Sequence, residues 1–163
     1  MNGTEHKLRR QNLQAGMTLL ELIIACSILI ILASAALPVA RYSIIRNKER
    51  ELRRDLREMK DAIDRYKDAA DRNLIRVEVG SEGYPPDLET LVVGVDSAGD
   101  SNSSHKLKFL RRIPIDPMTG SAEWGMRAYE DKPDSKSWGG QDVFDVYSKS
   151  EGTGLDGTKY ADW

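Results

Sequence analysis

The sequence has 163 residues, the size of one modest domain plus an additional segment, since domains usually hold about 100–200 residues. A formal net charge of −2 gives no reason to expect nucleic-acid binding. The one cysteine, Cys26, excludes an intramolecular disulfide, and His6 and His105 stand apart from any Cys or His at metal-ligand spacing, which argues against a transition-metal centre. The charge is unevenly spread: residues 41–73 hold 11 Lys/Arg against 8 Asp/Glu, whereas 74–163 hold 10 against 16, so a basic stem leads into an acidic head.

The first element is apolar. From Met17 to Ala40 there are 24 residues with one charge, Glu21, long enough at about 1.5 Å per residue to span the roughly 30 Å hydrocarbon core of a bilayer. Lys7, Arg9 and Arg10 precede it as they would a secretory signal, but such signals have an apolar core of only about 7–15 residues. "IIAC" at Ile23 to Cys26 invites a lipoprotein reading, against which the chain stays apolar to Ala40; Cys26 is better read as a small packing residue. Basic residues flank both ends, Arg41, Arg46, Lys48 and Arg50 on the far side, so the positive-inside rule alone leaves the orientation open.

The junction "QAG/MTLLEL" resembles the cleavage and methylation site of type IV pilin-like proteins, through Gly16, Met17, Thr18, Leu19 and Glu21 and on to Pro38. The resemblance implies that residues 1–16 are a leader removed by a prepilin peptidase, that Gly16 is its last residue and that Met17 becomes a methylated N-terminus. It further implies an N-terminus in the cytoplasm, a single-pass helix over 17–40 in the bacterial inner membrane, and a periplasmic head over 41–163. Met17 stands where the family more often has Phe. An acid in a membrane helix usually faces a protein partner, and the resemblance makes that partner the N-terminal amine of a neighbouring subunit, which gives Glu21 an assembly role. The alternative is that Glu21, near the start of the span, snorkels to the interface.

Pro38 removes one helical hydrogen bond and is expected to kink the helix. Beyond it Ile45, Leu52, Leu56, Met59, Ile63, Tyr66 and Ala70 form a one-sided apolar stripe of helical period. A helix from about Met17 to Asn73 is expected, some 80 Å long, its second half covering one face of a sheet. Asp61 with Arg65, Asp64 with Lys67 and Asp68 with Arg72 have the spacing of supporting pairs.

"IRVEV" at Ile75 to Val79 reads as a short extended piece, and "GYPPDLETLVVG" as a proline-bounded turn into a short helix burying Leu88 and Leu91. Asp96 to Ser104 reads as a solvated polar loop; it lacks the glycine placement and terminal Glu of an EF-hand. "FLRRIPIDPMTGS", through Leu110, Pro114, Asp116, Pro117 and Gly120, resembles a segment of the major pseudopilin of type II secretion, where a Pro-, Asp- and Gly-rich turn precedes the small sheet. "MRAYE" at Met126 to Glu130 and "DVFDVYS" at Asp142 to Ser148 alternate as half-buried strands do, with Phe144 and Val146 expected to pack on the helix stripe.

The tail "SKSEGTGLDGTKYADW" resembles pseudopilin C-termini, where a loop holds calcium in the major pseudopilin. Asp156 and Asp162, with a backbone carbonyl near Leu155, offer oxygens for such a cation; the alternative is an Asp-Gly turn at Asp156 and Gly157, with Tyr160 and Trp163 pinning the end to the head.

The expected fold is therefore α+β and pilin-like: a long N-terminal helix, transmembrane then amphipathic, packed on a small antiparallel head with a C-terminal loop. The resemblance implies a non-enzymatic subunit of a type II secretion pseudopilus, which self-assembles into a helical homo-oligomeric filament in the periplasm and meets the prepilin peptidase, other pseudopilins and an inner-membrane assembly platform. A type IV pilus subunit for adhesion, motility or DNA uptake is the near alternative, and a bitopic membrane-anchored enzyme or ligand-binding protein the distant one. No Ser-His-Asp, Cys-His or glycine-rich phosphate motif supports catalysis. Unequal charge suggests a further contact, in which Arg46, Arg50, Arg53, Arg54 or Arg57 pairs with head carboxylates of a neighbouring subunit.

Overall fold

The computed structural model describes residues 17–77, 82–99 and 106–163, so the expected leader, including Gly16, lies outside the described residues. Helix α1 runs Leu19–Asp71, two residues inside the expected bounds at each end. It starts there because Thr18 caps it: the Thr18 hydroxyl accepts the Glu21 backbone N–H at 3.2 Å, and Leu22 N–H bonds to Thr18 O at 3.1 Å, satisfying donors that the first helical turn otherwise leaves orphaned. The turn after Asp71 carries the chain away at Asn73, whose φ of 54° is left-handed.

The chain divides into two compact units at Tyr42 and Ser43. In the first, the described side chains of α1 are all exposed, including Leu20, Ile24, Ile28 and Ile31. This helix is long and apolar enough to cross a membrane. The helix is continuous through Pro38.

The second unit, 43–163, holds the core. Leu52, Leu56, Met59, Ile63, Tyr66 and Ala70 are all buried, as the periodicity predicts, while Ile45 is 38% exposed and lies at the edge of the stripe. Each fully buried large apolar side chain is worth about 1.5–3 kcal/mol, so this stripe dominates the attachment of the head to the helix. Facing it are Leu88 and Leu91 of α2 (Leu88–Val93), Leu110, Trp124, Val143, Val146 and Tyr160. Helix α2 is capped by Asp87, whose carboxylate accepts Thr90 N–H at 2.7 Å.

Among the described residues the head contains two small antiparallel sheets. β1 (Val95–Asp96) pairs with β2 (Lys106–Leu107), and β3 (Gly125–Arg127) with β4 (Asp145–Tyr147) in the register Gly125 to Tyr147. With α1 these make the α+β pilin-like fold. The first hairpin corrects the reading of Asp96 to Ser104 as loop throughout: its first residue is in a strand, and Ile75 bridges to Ser97. The extended reading of Ile75 to Val79 holds at Ile75; 78–81 lie outside the described residues.

A second correction concerns Phe144. It precedes β4 and is 44% exposed, edge-on to Tyr84 and Tyr129, while Val143 is fully buried in its place. Strict alternation fails because β4 is covered on both faces: Val146 packs in the core, Tyr147 lies over Gly125, and Ser148 is fully buried. Of the three expected helix pairs only Asp68 with Arg72 forms, at 2.9 Å. Arg65 donates instead to Phe109 O at 2.7 Å, and Lys67 to Asp71 at 2.6 Å; the tertiary acceptor and the longer reach displace the pairs that spacing suggests.

Candidate functional site

Two places carry the residues that the sequence singles out. The first is the start of α1. Met17 precedes the helix, Thr18 caps it, and Glu21 sits in its first turn, exposed. A carboxylate there is favoured by the helix dipole by about 0.3–1 kcal/mol, and Thr18 with Glu21 has the spacing of a capping box. The cap alone explains why Thr and Glu suit a helix start, but an exposed acid inside an otherwise apolar exposed helix still lacks a cationic partner among the described residues.

The second is the C-terminal loop. A buried acid of α1, Glu49, holds it: its Oε1 accepts the Leu155 N–H at 2.7 Å and the Tyr160 hydroxyl at 3.3 Å. One turn further, Arg53 binds Asp156 at 2.8 Å and lies 4.0 Å over the Trp163 ring, which meets Tyr160 edge-on. The Asp-Gly turn forms: Gly157 adopts φ 84°, Gly154 N–H bonds to Thr158 O, and Thr153 bridges to Lys159. Burial first, then the Glu49 charge, pushes the Tyr160 phenol above its ordinary value.

Asp156 is already occupied. Its Oδ1 accepts from the Thr158 hydroxyl at 2.6 Å and the Thr158 N–H at 3.0 Å, and Oδ2 faces Arg53. The Thr158 hydroxyl first, then the Thr158 amide and Arg53, hold its carboxyl below the ordinary aspartate value. Leu155 is held through its N–H by Glu49, not through the carbonyl expected as a ligand, and the exposed Asp162 carboxylate makes no hydrogen bond or ion pair among the described residues. No group of three or more His, Cys, Asp or Glu side chains is gathered there or elsewhere among the described residues. Asp156 thus meets an arginine where calcium would need further oxygens.

The Pro-, Asp- and Gly-rich turn is tied to the sheet by a fully buried carboxylate. Asp116 Oδ2 accepts the Ser148 hydroxyl at 2.6 Å and Oδ1 the Met118 N–H at 2.7 Å, while Gly120, at φ 75°, closes the turn onto Asp116 O. Arg127 completes the clasp: it donates to Ser135 O, Asp145 and Ala161 O and lies 4.1 Å over Tyr147, and Lys60 of α1 reaches the same Asp145 at 3.0 Å.

Sequence reasoning missed Glu49, Asp116 as a buried anchor, and Arg127. For Glu49 a signal existed: it lies three residues before Leu52 and seven before Leu56, an acid at a core position of the apolar stripe. Asp116 and Arg127 gave none, because the contacts that tie them across the head, to Ser148 and Ala161, lie 32 and 34 residues away.

Residues 11–37 match the prokaryotic N-terminal methylation motif. The match contains Gly16, Met17, Glu21 and the apolar run and supports a type IV pilin-like protein, processed by a prepilin peptidase and anchored in a membrane. No curated protein and no solved structure matches the chain.

Proposed function

We propose that this chain is a structural subunit of a type II secretion pseudopilus: cut after Gly16, methylated on Met17, held in the inner membrane by 17–40 with its head in the periplasm, and polymerised into a filament that supports protein export. The observation that carries this reading is the methylation motif at 11–37, continued into a helix that opens on Thr18 and Glu21 and buries its second half against a small antiparallel head. The Pro-, Asp- and Gly-rich turn at 114–120 and the absence of any cysteine pair in the head favour secretion over a type IV pilus. In assembly Glu21 exchanges lipid for the N-terminal amine of a neighbouring subunit, and the chain itself does no chemistry.

Calcium at Leu155, Asp156 and Asp162 stays within this proposal only as a ligand that displaces Arg53 from Asp156. Mass spectrometry of the mature N-terminus is the test. A chain beginning at methylated Met17 supports the reading; an uncut chain, or one lipidated at Cys26, overturns it. Filaments that form in a strain lacking secretion partners but carrying a pilus machine would move the assignment to a pilus subunit.

A further inference from the structure

One pattern on α1 is absorbed neither by the core nor by the motif. Arg46, Arg50, Arg53 and Arg57 recur at steps of four, three and four. At 3.6 residues per turn they fall within about 60° of one another around the helix. The same face continues as Asp61, Asp64, Asp68 and Asp71, at steps of three, four and three. All eight are exposed, on the side of α1 away from the buried stripe of Leu52, Met59 and Ile63. One strip of the exposed face is therefore a bipolar ribbon, four arginines followed by four aspartates, with Glu51, Arg54, Glu58, Arg65 and Arg72 exposed beside it.

Within one copy the ribbon is only partly used. Arg53 holds Asp156, Asp68 holds Arg72, and Asp71 holds Lys67. Arg46, Arg50, Arg57, Asp61 and Asp64 make no hydrogen bond or ion pair among the described residues. Arg65, the natural local partner of Asp61, is turned to Phe109 O.

We propose that this ribbon docks a second copy of the chain, parallel and displaced along the helix by 14–15 residues, about 22 Å. In that register Arg46 faces Asp61 of the second copy and Arg50 faces Asp64, with Arg53 and Arg57 opposite Asp68 and Asp71. Without displacement parallel copies set arginine against arginine, which repels. An antiparallel pair also matches charge, but it sends the two apolar segments in opposite directions, which copies sharing one bilayer do not allow. This step rests on the filament reading. The contact is head-to-tail rather than self-paired, since each copy offers its arginines to one neighbour and its aspartates to another, and such contacts propagate into open filaments.

The test uses the full chain, with Cys26→Ser, expressed with its processing and assembly machinery and oxidised mildly. Arg46→Cys with Asp61→Cys is expected to give a ladder of disulfide-linked oligomers, because the two positions are about 22 Å apart within one helix and link only between copies. Arg46→Cys alone reports an undisplaced pair, and Arg46→Cys with Asp71→Cys an antiparallel one; either giving the stronger cross-link overturns the register. Reversing Arg46→Asp and Arg50→Asp should cut filament yield roughly tenfold, and adding Asp61→Arg and Asp64→Arg should restore it, which a merely structural role would not do. Filaments without the 46–61 cross-link refute this inference and leave the proposed function standing. Absence of any oligomer in the wild type refutes both.

Discussion

Replacing Glu49 with alanine should free the C-terminal loop while the rest of the head stays closed. Glu49 is 9% exposed and its Oε1 accepts two hydrogen bonds, from Leu155 N–H at 2.7 Å and from the Tyr160 hydroxyl at 3.3 Å. A bond to a charged acceptor is worth about 1.5–3 kcal/mol net; the first counts near the middle of that range and the second, long one near the bottom of the neutral range. Removing the carboxylate also removes its own desolvation cost, which offsets part of the loss. A net cost of about 2 kcal/mol corresponds to roughly a thirtyfold larger opening equilibrium. The loop keeps Arg127 on Ala161 O and Arg53 on Asp156, so the opening is local. Hydrogen exchange of the full chain in detergent reads it directly. Amides of 152–163 should exchange about thirtyfold faster, while Phe109 and Leu110, bonded to Leu91 O, keep their rates. Glu49→Gln retains an acceptor and should give an effect several times smaller. Unchanged exchange over 152–163, or an equal rise throughout the head, would refute the assignment of Glu49 as the loop's clasp.

Acid should loosen the same loop. The Asp156 carboxyl lies below its ordinary value when folded, so its contribution is complete above about pH 4 and is lost as the pH falls through the folded value; a carboxyl resonance of Asp156 titrating at or above pH 4 would contradict this. Gly125→Ala should destabilise the head by about 3 kcal/mol or more, because a Cβ there falls inside the Tyr147 ring, itself trapped under Arg127; thermal unfolding of the variant checks it. Asp116→Ala strands the buried Ser148 hydroxyl and the Met118 amide and should cost about 3 kcal/mol in a urea titration, whereas the exposed Glu123, paired only with Lys149 at 3.7 Å, should cost less than about 1 kcal/mol on the same replacement. Glu21→Ala should leave head stability unchanged and reduce filament yield roughly tenfold or more, measured by electron microscopy; normal filaments would show that Glu21 serves only the helix cap.

The long helix, its exposed apolar half and its buried second half were legible in the sequence because each depends on local order. A run with a single charge and a 3.6-residue period are properties of neighbouring residues; the Thr18 cap, which starts the helix two residues later than expected, emerged only in the structure. The short helix over Leu88 and Leu91 was legible for the same reason. Strand positions were less so: β4 is covered on both faces, so alternation misplaced Phe144 and hid Val143. The charges were the least legible. Spacing offered Arg65 to Asp61 and Lys67 to Asp64, and the fold gave Arg65 to a carbonyl and Lys67 to Asp71.

By itself, then, the sequence determined the methylation motif, a helix long and apolar enough to cross a membrane and the face of α1 that the head covers. Tertiary structure alone decided that Glu49, Asp116 and Arg127 are anchors and that Asp156 meets an arginine. A hydrogen bond or ion pair between residues 32 to 111 positions apart leaves no period in the chain. It exists only once the apolar stripe has brought helix, sheet and tail together, and at the buried Glu49 and Asp116 the water that would otherwise satisfy the charge is excluded.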